Sequence, residues 1–164
     1  LDSITGLSVE IGGNVNLVQG PGGNVSLKDG NDLWIKASGT WLADARRHSI
    51  FVRLDLNEVQ QKLKKGNGNF LTCIRDNTEL SPSIETSFHA VMPQLVVVHV
   101  HSVNALSWAV CRNGREMVAE RLGGLDWAWI NYERPGFPLC RAIFPSRDIP
   151  DLTIIKGFLF KNLL

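Results

Sequence analysis

Cysteine is scarce in this sequence, and its three cysteines, Cys73, Cys111 and Cys140, form no CxxC pair. An odd number of widely spaced cysteines excludes an evident disulfide framework and favours a reducing, cytoplasmic environment. A disulfide is not needed for stability either, because a chain of 164 residues can bury about 70% of its unfolded surface.

Long apolar runs and an excess of charge of either sign are also missing. No stretch is long enough to span a membrane, and no signal peptide is visible. The chain begins at Leu1 instead of a methionine, so we expect residues to precede it. Seventeen basic residues balance sixteen acidic ones, which predicts no nucleic-acid partner. The composition, 44% hydrophobic and 20% charged, is typical of one globular domain, assigned here to residues 1–164.

The order of predicted elements indicates an α/β fold. A turn signal at 29–32 lies between two short β-type runs and predicts a hairpin. Pro82 suits the first position of a helix that should start at 81–85 and end before Pro93. The other predicted helices are 4–11, 55–65, 105–112, 116–122 and 138–144, and the other predicted strands are 50–54, 95–101, 126–132 and 152–164. Strands alternating with helices predict a mixed or antiparallel sheet covered by helices.

Two histidines in one apolar strand are the most informative feature. The run 95–101 is rich in valine and carries His99 and His101, two residues apart. Side chains alternate faces along a strand, so both imidazoles should point to the same side. Two imidazoles placed in this way are suited to one metal ion. The alternative is a pair of buried histidines that are hydrogen-bonded to the backbone.

Three other motifs can bind an anion, although each has a plain structural alternative. Glycines at 22–23 allow close approach to a phosphate or simply a tight turn. The segment 38–40 offers hydroxyl and N–H groups at a strand end or forms an ordinary Ser/Gly loop. The segment 82–85 offers a helix N-terminus to an anion or merely caps that helix. Glu85 lies on a helix that precedes the two histidines, so its carboxylate can reach a metal that they hold.

Taken together, these stretches resemble the class II aldolase/adducin family. The matching residues occur in the family's order and at similar spacing over nearly the whole chain: Gly23-Asn24-Val25-Ser26, Lys36-Ala37-Ser38-Gly39-Thr40, Ser83-Ile84-Glu85 with His89, and His99-Val100-His101. The segments 19–24 and 34–41 look most like a sugar-phosphate aldolase subgroup. That subgroup is similar to the aldolase part of long rhamnulose-phosphate aldolase/dehydrogenase proteins.

The resemblance implies a three-layer α/β/α fold around a mainly antiparallel sheet, and a tetramer with active sites between subunits. It implies a lyase that uses Zn²⁺ or another divalent cation and cleaves a sugar phosphate through a metal-stabilised enediolate. His99 and His101 would be metal ligands, and Glu85 would be the catalytic acid/base and a third ligand. Four residues would line the substrate phosphate: Asn24, Ser38, Gly39 and Ser83.

One departure from the family pattern concerns the third histidine ligand. The family carries it in an Asn-His-Gly motif on a late strand, whereas this chain has no histidine after His101. We therefore expect either an altered motif or a chain that lacks the C-terminal part of the fold, with metal bound at low occupancy. His48 should lie in a polar surface loop, and His89 should lie behind the site.

Two classes of function follow from these observations. The first is a metal-dependent lyase, or an epimerase or dehydratase that uses the same chemistry. The second is a non-catalytic domain of the same fold that serves assembly, as in adducin. The retained Glu85, His99 and His101 favour the enzyme, whereas the missing third histidine favours reduced or lost activity.

Overall fold

The structure is a computed structural model that describes residues 1–143, together with the backbone of the strands 152–155 and 158–163. The helices in this part of the chain are α1 (Asp2–Gly12), α2 (Leu56–Lys64), α3 (Thr86–Val91), α4 (Val103–Ala109), α5 (Gly114–Arg121) and α6 (Phe137–Ile143). The strands are β1 (Asn24–Asp29), β2 (Asp32–Lys36), β3 (Phe51–Asp55), β4 (Val96–Val100), β5 (Trp127–Ile130), β6 (Leu152–Ile155) and β7 (Phe158–Leu163). Two short 3-10 helices lie at Leu42–Asp44 and Leu71–Cys73.

The strands form a seven-stranded sheet in the order β3-β2-β1-β4-β7-β6-β5. All neighbouring pairs are antiparallel except β5 and β6, which are parallel. Asn24 at the start of β1 lies opposite His99 near the end of β4. This register brings the glycine-rich loop before β1 close to the end of β4, where the two histidines lie.

Apolar residues cover both faces of the sheet, because successive strand residues alternate sides. On one face Leu33 and Ile35 pack with Val59 of α2 and Ala90 of α3. On the other face the apolar cluster contains Ile4 and Ile11 of α1 together with three valines at 25, 98 and 100. The sheet is therefore a middle layer between helices, the α/β/α arrangement that the sequence predicted.

Several local predictions are confirmed. The helix α1 and the hairpin of β1 and β2 fall where the sequence placed them. Asp55 caps α2 by accepting a hydrogen bond from the backbone N–H of Glu58 at 2.9 Å, which is the first half of a capping box. The predicted helices at 105–112, 116–122 and 138–144 correspond to α4, α5 and α6, with ends shifted by one to three residues.

The predicted helix start at Pro82 is wrong, because α3 begins only at Thr86. Pro82 instead forms an isolated antiparallel bridge with Ala37, and the Ser38 N–H donates to the Ser81 carbonyl at 2.9 Å. This extended pairing with the chain after β2 competes with helix formation. Ile84 lies in this segment before α3 and is 66% exposed.

The single final strand predicted over 152–164 is also wrong, since β6 and β7 occupy this stretch as two antiparallel strands. β7 inserts beside β4, where Phe160 is the register partner of His99. The other predictions made for this stretch rest on residues 156–157 and 164 or on side chains after Ile143, which lie outside the described residues. No helix in the described part of the chain is both long enough and apolar enough to cross a membrane.

We expect Gly12→Ala to destabilise the fold by about 1–3 kcal/mol, the usual cost of overpacking. A β-carbon at Gly12 would lie 2.3 Å from the Ala43 backbone nitrogen, so α1 or the 3-10 helix beneath it must shift. Gly6→Ala in the same helix is the matched control, because its β-carbon meets only a flexible arginine tip at 3.8 Å. The control should stabilise by about 0.5–1 kcal/mol. Urea unfolding measures both, and equal stability of the two variants would contradict the close packing.

Candidate functional site

A cavity of about 230 Å³ opens where three predicted motifs meet. The glycine-rich loop before β1, the loop after β2, the segment before α3 and the end of β4 form its walls. Its lining residues are Pro21, Gly22, Gly23, Asn24, Lys36, Ser38, Gly39, Ser83, Ile84, Glu85, His99, His101 and Pro135. All seven residues that the sequence proposed for metal, acid/base and phosphate roles are among them.

His99 and His101 lie on the same side of β4, as the two-residue period predicts. Their ring centroids are 4.8 Å apart with the planes inclined at 57°. Val98 and Val100 point to the opposite face and join the apolar cluster under α1. The valines therefore anchor the strand, and this anchoring fixes the direction of the two imidazoles.

Glu85 contacts the first of these imidazoles directly. Its Oε2 lies 2.5 Å from His99 Nδ1, and the side-chain amide of Asn24 donates to the same oxygen. Burial raises the pKa of Glu85, but the facing His99 imidazole and the two side-chain hydrogen bonds outweigh this effect and lower the pKa to about 2. Glu85 is therefore an ionised carboxylate that is only 6% exposed.

The four residues proposed for phosphate do not all have free side chains. Asn24 directs its amide at Glu85 and thereby positions the carboxylate. The Ser83 hydroxyl accepts a hydrogen bond from the Glu85 N–H at 3.2 Å and retains its own proton for donation. Gly39 has φ +76°, a left-handed conformation that favours glycine. Ser38, Gly39 and Ser83 remain together on one wall of the cavity.

Gly22 and Gly23 let their loop pass very close to β4. A β-carbon at Gly22 would lie 3.0 Å from His101 Nδ1, and one at Gly23 would lie 2.9 Å from the His99 carbonyl oxygen. Gly23 also has φ +69°, so a larger residue would be strained there as well. The glycines thus hold the loop against the two histidines.

Sequence reasoning did not assign a role to Lys36, which is 2% exposed and lines the same cavity. Burial lowers its pKa to about 8, against the opposing effect of the Glu85 carboxylate. The available signal was its position, because a lysine between Ile35 and Ala37, which are both fully buried, interrupts an apolar strand end. A charged residue in such a place requires buried polar partners.

A comparison with known families identifies the fold and its lineage. The model of the "Class II Aldolase and Adducin N-terminal domain" matches residues 10–149. This chain belongs to that family. The matched region includes every residue that lines the cavity.

The relatives of this class II aldolase domain differ greatly in length. The "Uncharacterized oxidoreductase YuxG" of Bacillus subtilis is 32% identical over 149 residues, which cover 81% of this chain and 21% of that protein. The chain therefore spans about a fifth of its curated relative. The N-terminal class II aldolase domain of a conserved protein from Thermoplasma acidophilum superposes with a TM-score of 0.83 at 26% identity, covering 98% of this chain and 82% of that one.

A third relative supports the fold alone. The l-fuculose-1-phosphate aldolase from Thermus thermophilus has a TM-score of 0.64 at 12% identity, covering 98% of this chain and 76% of that one. Its sheet and helical layers are shared with this chain despite the low identity. Its name describes that enzyme and does not by itself assign a substrate here.

The donor chemistry of the cavity suits a divalent cation, with two imidazoles and one carboxylate around one space. Within the described residues, however, no group of three His, Cys, Asp or Glu side chains is arranged to enclose an ion. Of the other two histidines of this aldolase-family chain, His48 is exposed. His89 is fully buried, and a hydrogen bond of 2.7 Å joins its Nδ1 to the Ser26 hydroxyl.

His89 supports Glu85 from behind the cavity. Its backbone N–H donates to the Glu85 carbonyl at 3.1 Å, and its side chain ties α3 to β1 through Ser26. Burial lowers the pKa of His89 to about 3, so the imidazole is neutral. His89 is thus tied to Ser26 and is not among the residues that line the cavity.

Proposed function

We propose that this chain is the aldolase domain of a divalent-metal-dependent lyase that cleaves a sugar phosphate. The supporting observation is the ionised Glu85 carboxylate beside His99, in one cavity with His101, Ser38, Gly39 and Ser83. Metal-dependent aldol cleavage of a sugar phosphate requires a base, metal ligands and a phosphate-binding site close together. We place all of residues 1–164 in this domain.

The residues of this chain would divide the reaction between binding and proton transfer. Ser38, Gly39 and Ser83 would hold the phosphate and so fix the sugar chain relative to Glu85. In the cleavage direction a hydroxyl proton leaves, the carbon–carbon bond breaks to release an aldehyde, and the carbanion that remains takes up a proton. Glu85 would accept and return that proton, a role worth about 10²- to 10⁴-fold in rate.

His99 and His101 would hold the cation, with Glu85 as the neighbouring carboxylate. When bound, the cation supplies Lewis-acid stabilisation of the negative charge that develops as the bond breaks, worth several kcal/mol. Imidazole and carboxylate suit zinc, manganese and iron alike, and we propose zinc.

We expect inorganic phosphate to bind to the Ser38–Ser83 wall, and Ser83→Ala to weaken this binding by about tenfold. The loss follows from one hydrogen bond to a charged group, worth about 1.5–3 kcal/mol. Ser107→Ala is the matched control, because Ser107 lies on the exposed side of α4. Titration calorimetry measures both variants, and equal affinities would place the phosphate elsewhere.

Activity is tested by incubating the zinc-loaded protein with a panel of ketose phosphates and detecting the released aldehyde. Aldehyde release supports the lyase. Epimerised or dehydrated sugar phosphate without aldehyde would assign the domain to other chemistry of the same kind. Phosphate and zinc binding without any turnover would favour the assembly function.

We also propose a homo-oligomer, and specifically a tetramer. Ile84 and Leu71 are 66% and 55% exposed, and both line a second depression that adjoins the cavity at Ser83 and Ile84. Exposed apolar side chains beside a functional cavity are typical of an interface. Light scattering on the eluted protein gives the number of chains directly, and a monomer would contradict this proposal.

A further inference from the structure

We infer that Lys36 is a positioning residue that ties the glycine-rich loop before β1 to the Ser-Gly-Thr loop after β2. Both loops line the cavity. The inference rests on the proposed phosphate site and goes beyond it. In this inference Lys36 maintains the arrangement of the phosphate site but does not itself bind the phosphate.

The contacts of the Lys36 ammonium support this role. It donates to the carbonyl of Pro21 in the first loop at 3.1 Å, and to the carbonyls of Ala37 and Thr40 in the second loop at 3.3 and 2.7 Å. An ammonium has three N–H donors, and three backbone oxygens occupy them. The side chain is thus directed at the protein and not at a ligand.

The second buried lysine of the sheet shows that burial alone does not produce this arrangement. Lys28 on β1 is 8% exposed, and burial likewise lowers its pKa to about 8. Its ammonium donates to the Gln94 carbonyl at 2.8 Å, and it does not line the cavity. Lys36 differs because its partners belong to two separate loops that both line the cavity.

Within the described residues, no backbone–backbone hydrogen bond joins the two loops to each other. The first loop carries Gly20, Gly22 and Gly23, of which Gly20 and Gly23 have positive φ, and the second carries Gly39, which also does. Glycine gives the backbone wide conformational freedom. A charged hydrogen-bond donor shared between the loops restrains that freedom, because removing it breaks the hydrogen bonds to Pro21 in one loop and to Thr40 in the other.

The test compares Lys36→Met with Lys28→Met, a pair of equal chemistry in which only the first touches the loops. Amide hydrogen exchange is measured without any ligand, and phosphate affinity is measured separately by calorimetry. We expect Lys36→Met to speed exchange at Gly23, Ser38 and Thr40 by about tenfold and to raise the Kd for inorganic phosphate by about tenfold. Lys28→Met should change neither by more than about twofold. Lys36→Arg, which keeps donors in place, should lie between wild type and Lys36→Met.

The outcomes separate this inference from the proposed function. Faster loop exchange in Lys36→Met supports the inference even if the wild-type protein binds no phosphate, a result that would overturn only the proposed site. Weaker phosphate binding with unchanged loop exchange would make Lys36 a direct ligand and overturn the inference. The inference would also be overturned if both Lys36 variants failed to fold while Lys28→Met folded. Lys36 would then be required for the stability of the whole fold.

Discussion

Replacing Glu85 with glutamine should lower the proposed lyase turnover by about 10²- to 10⁴-fold, the usual contribution of a positioned acid/base group. Glutamine keeps the size of the side chain and can still meet His99 and Asn24. It cannot accept a proton at neutral pH, whereas the Glu85 carboxylate, whose pKa is lowered to about 2, is ionised there. The measurement is kcat for aldehyde release by protein loaded with the same metal.

Two controls separate chemistry from folding in this experiment. Glu79→Gln removes an exposed carboxylate from the segment that precedes α3 and should leave kcat unchanged. Phosphate affinity of Glu85→Gln should also stay close to wild type, because Ser38, Gly39 and Ser83 are untouched. Turnover of Glu85→Gln within about threefold of wild type, far short of the range for general acid–base catalysis, would show that another group moves the proton.

The parts of the fold that sequence predicts well have a strong local cause. The two-residue period of β4 places His99 and His101 on one side whatever surrounds the strand. The turn at 29–32 fixes a hairpin through its own backbone preferences. Asp55 caps α2 through a hydrogen bond three residues away. In each case the decisive interaction spans only a few residues, so it can be predicted from the local sequence.

The parts that sequence misses depend on distant segments. Pro82 is favoured locally at a helix start, but it instead pairs in an antiparallel bridge with Ala37, which is distant in the chain. The contact between the Asn24 amide and Glu85 joins residues 61 positions apart in the chain, and only the fold reveals it. The sequence does not separate β6 from β7, because apolar residues continue on both sides of Lys156 and Gly157. The spacing of the apolar residues does not change there.

One more feature of the family pattern, the third imidazole, has no counterpart after His101 in this sequence. Catalytic zinc usually takes three protein ligands and keeps one open position. Here two imidazoles share the cavity with a carboxylate that is also the proposed base, so we expect weak metal binding. Strand register points to the place where a third imidazole belongs, because Phe160 on β7 lies directly opposite His99 on β4.

Phe160→His should therefore tighten zinc binding by at least about tenfold, which corresponds to about 1.4 kcal/mol, and raise aldehyde release in parallel. Residues directly opposite each other in an antiparallel pair have β-carbons only about 4.5–5.5 Å apart on the same face. A histidine at position 160 would start from that distance to His99 and complete a set of three imidazoles with His101.

Lys161→His provides the matched control on the same strand. Position 161 is the register partner of Val98, which packs in the cluster under α1 on the other face. A histidine there would be in register with Val98 instead of His99, so zinc affinity should remain at the wild-type value. Competition with a chromophoric chelator measures all three proteins. Tight zinc binding by the wild-type chain that is unchanged in both variants would contradict this prediction. The metal site would then already be complete, with a ligand other than a third imidazole supplied by this chain or by a partner subunit.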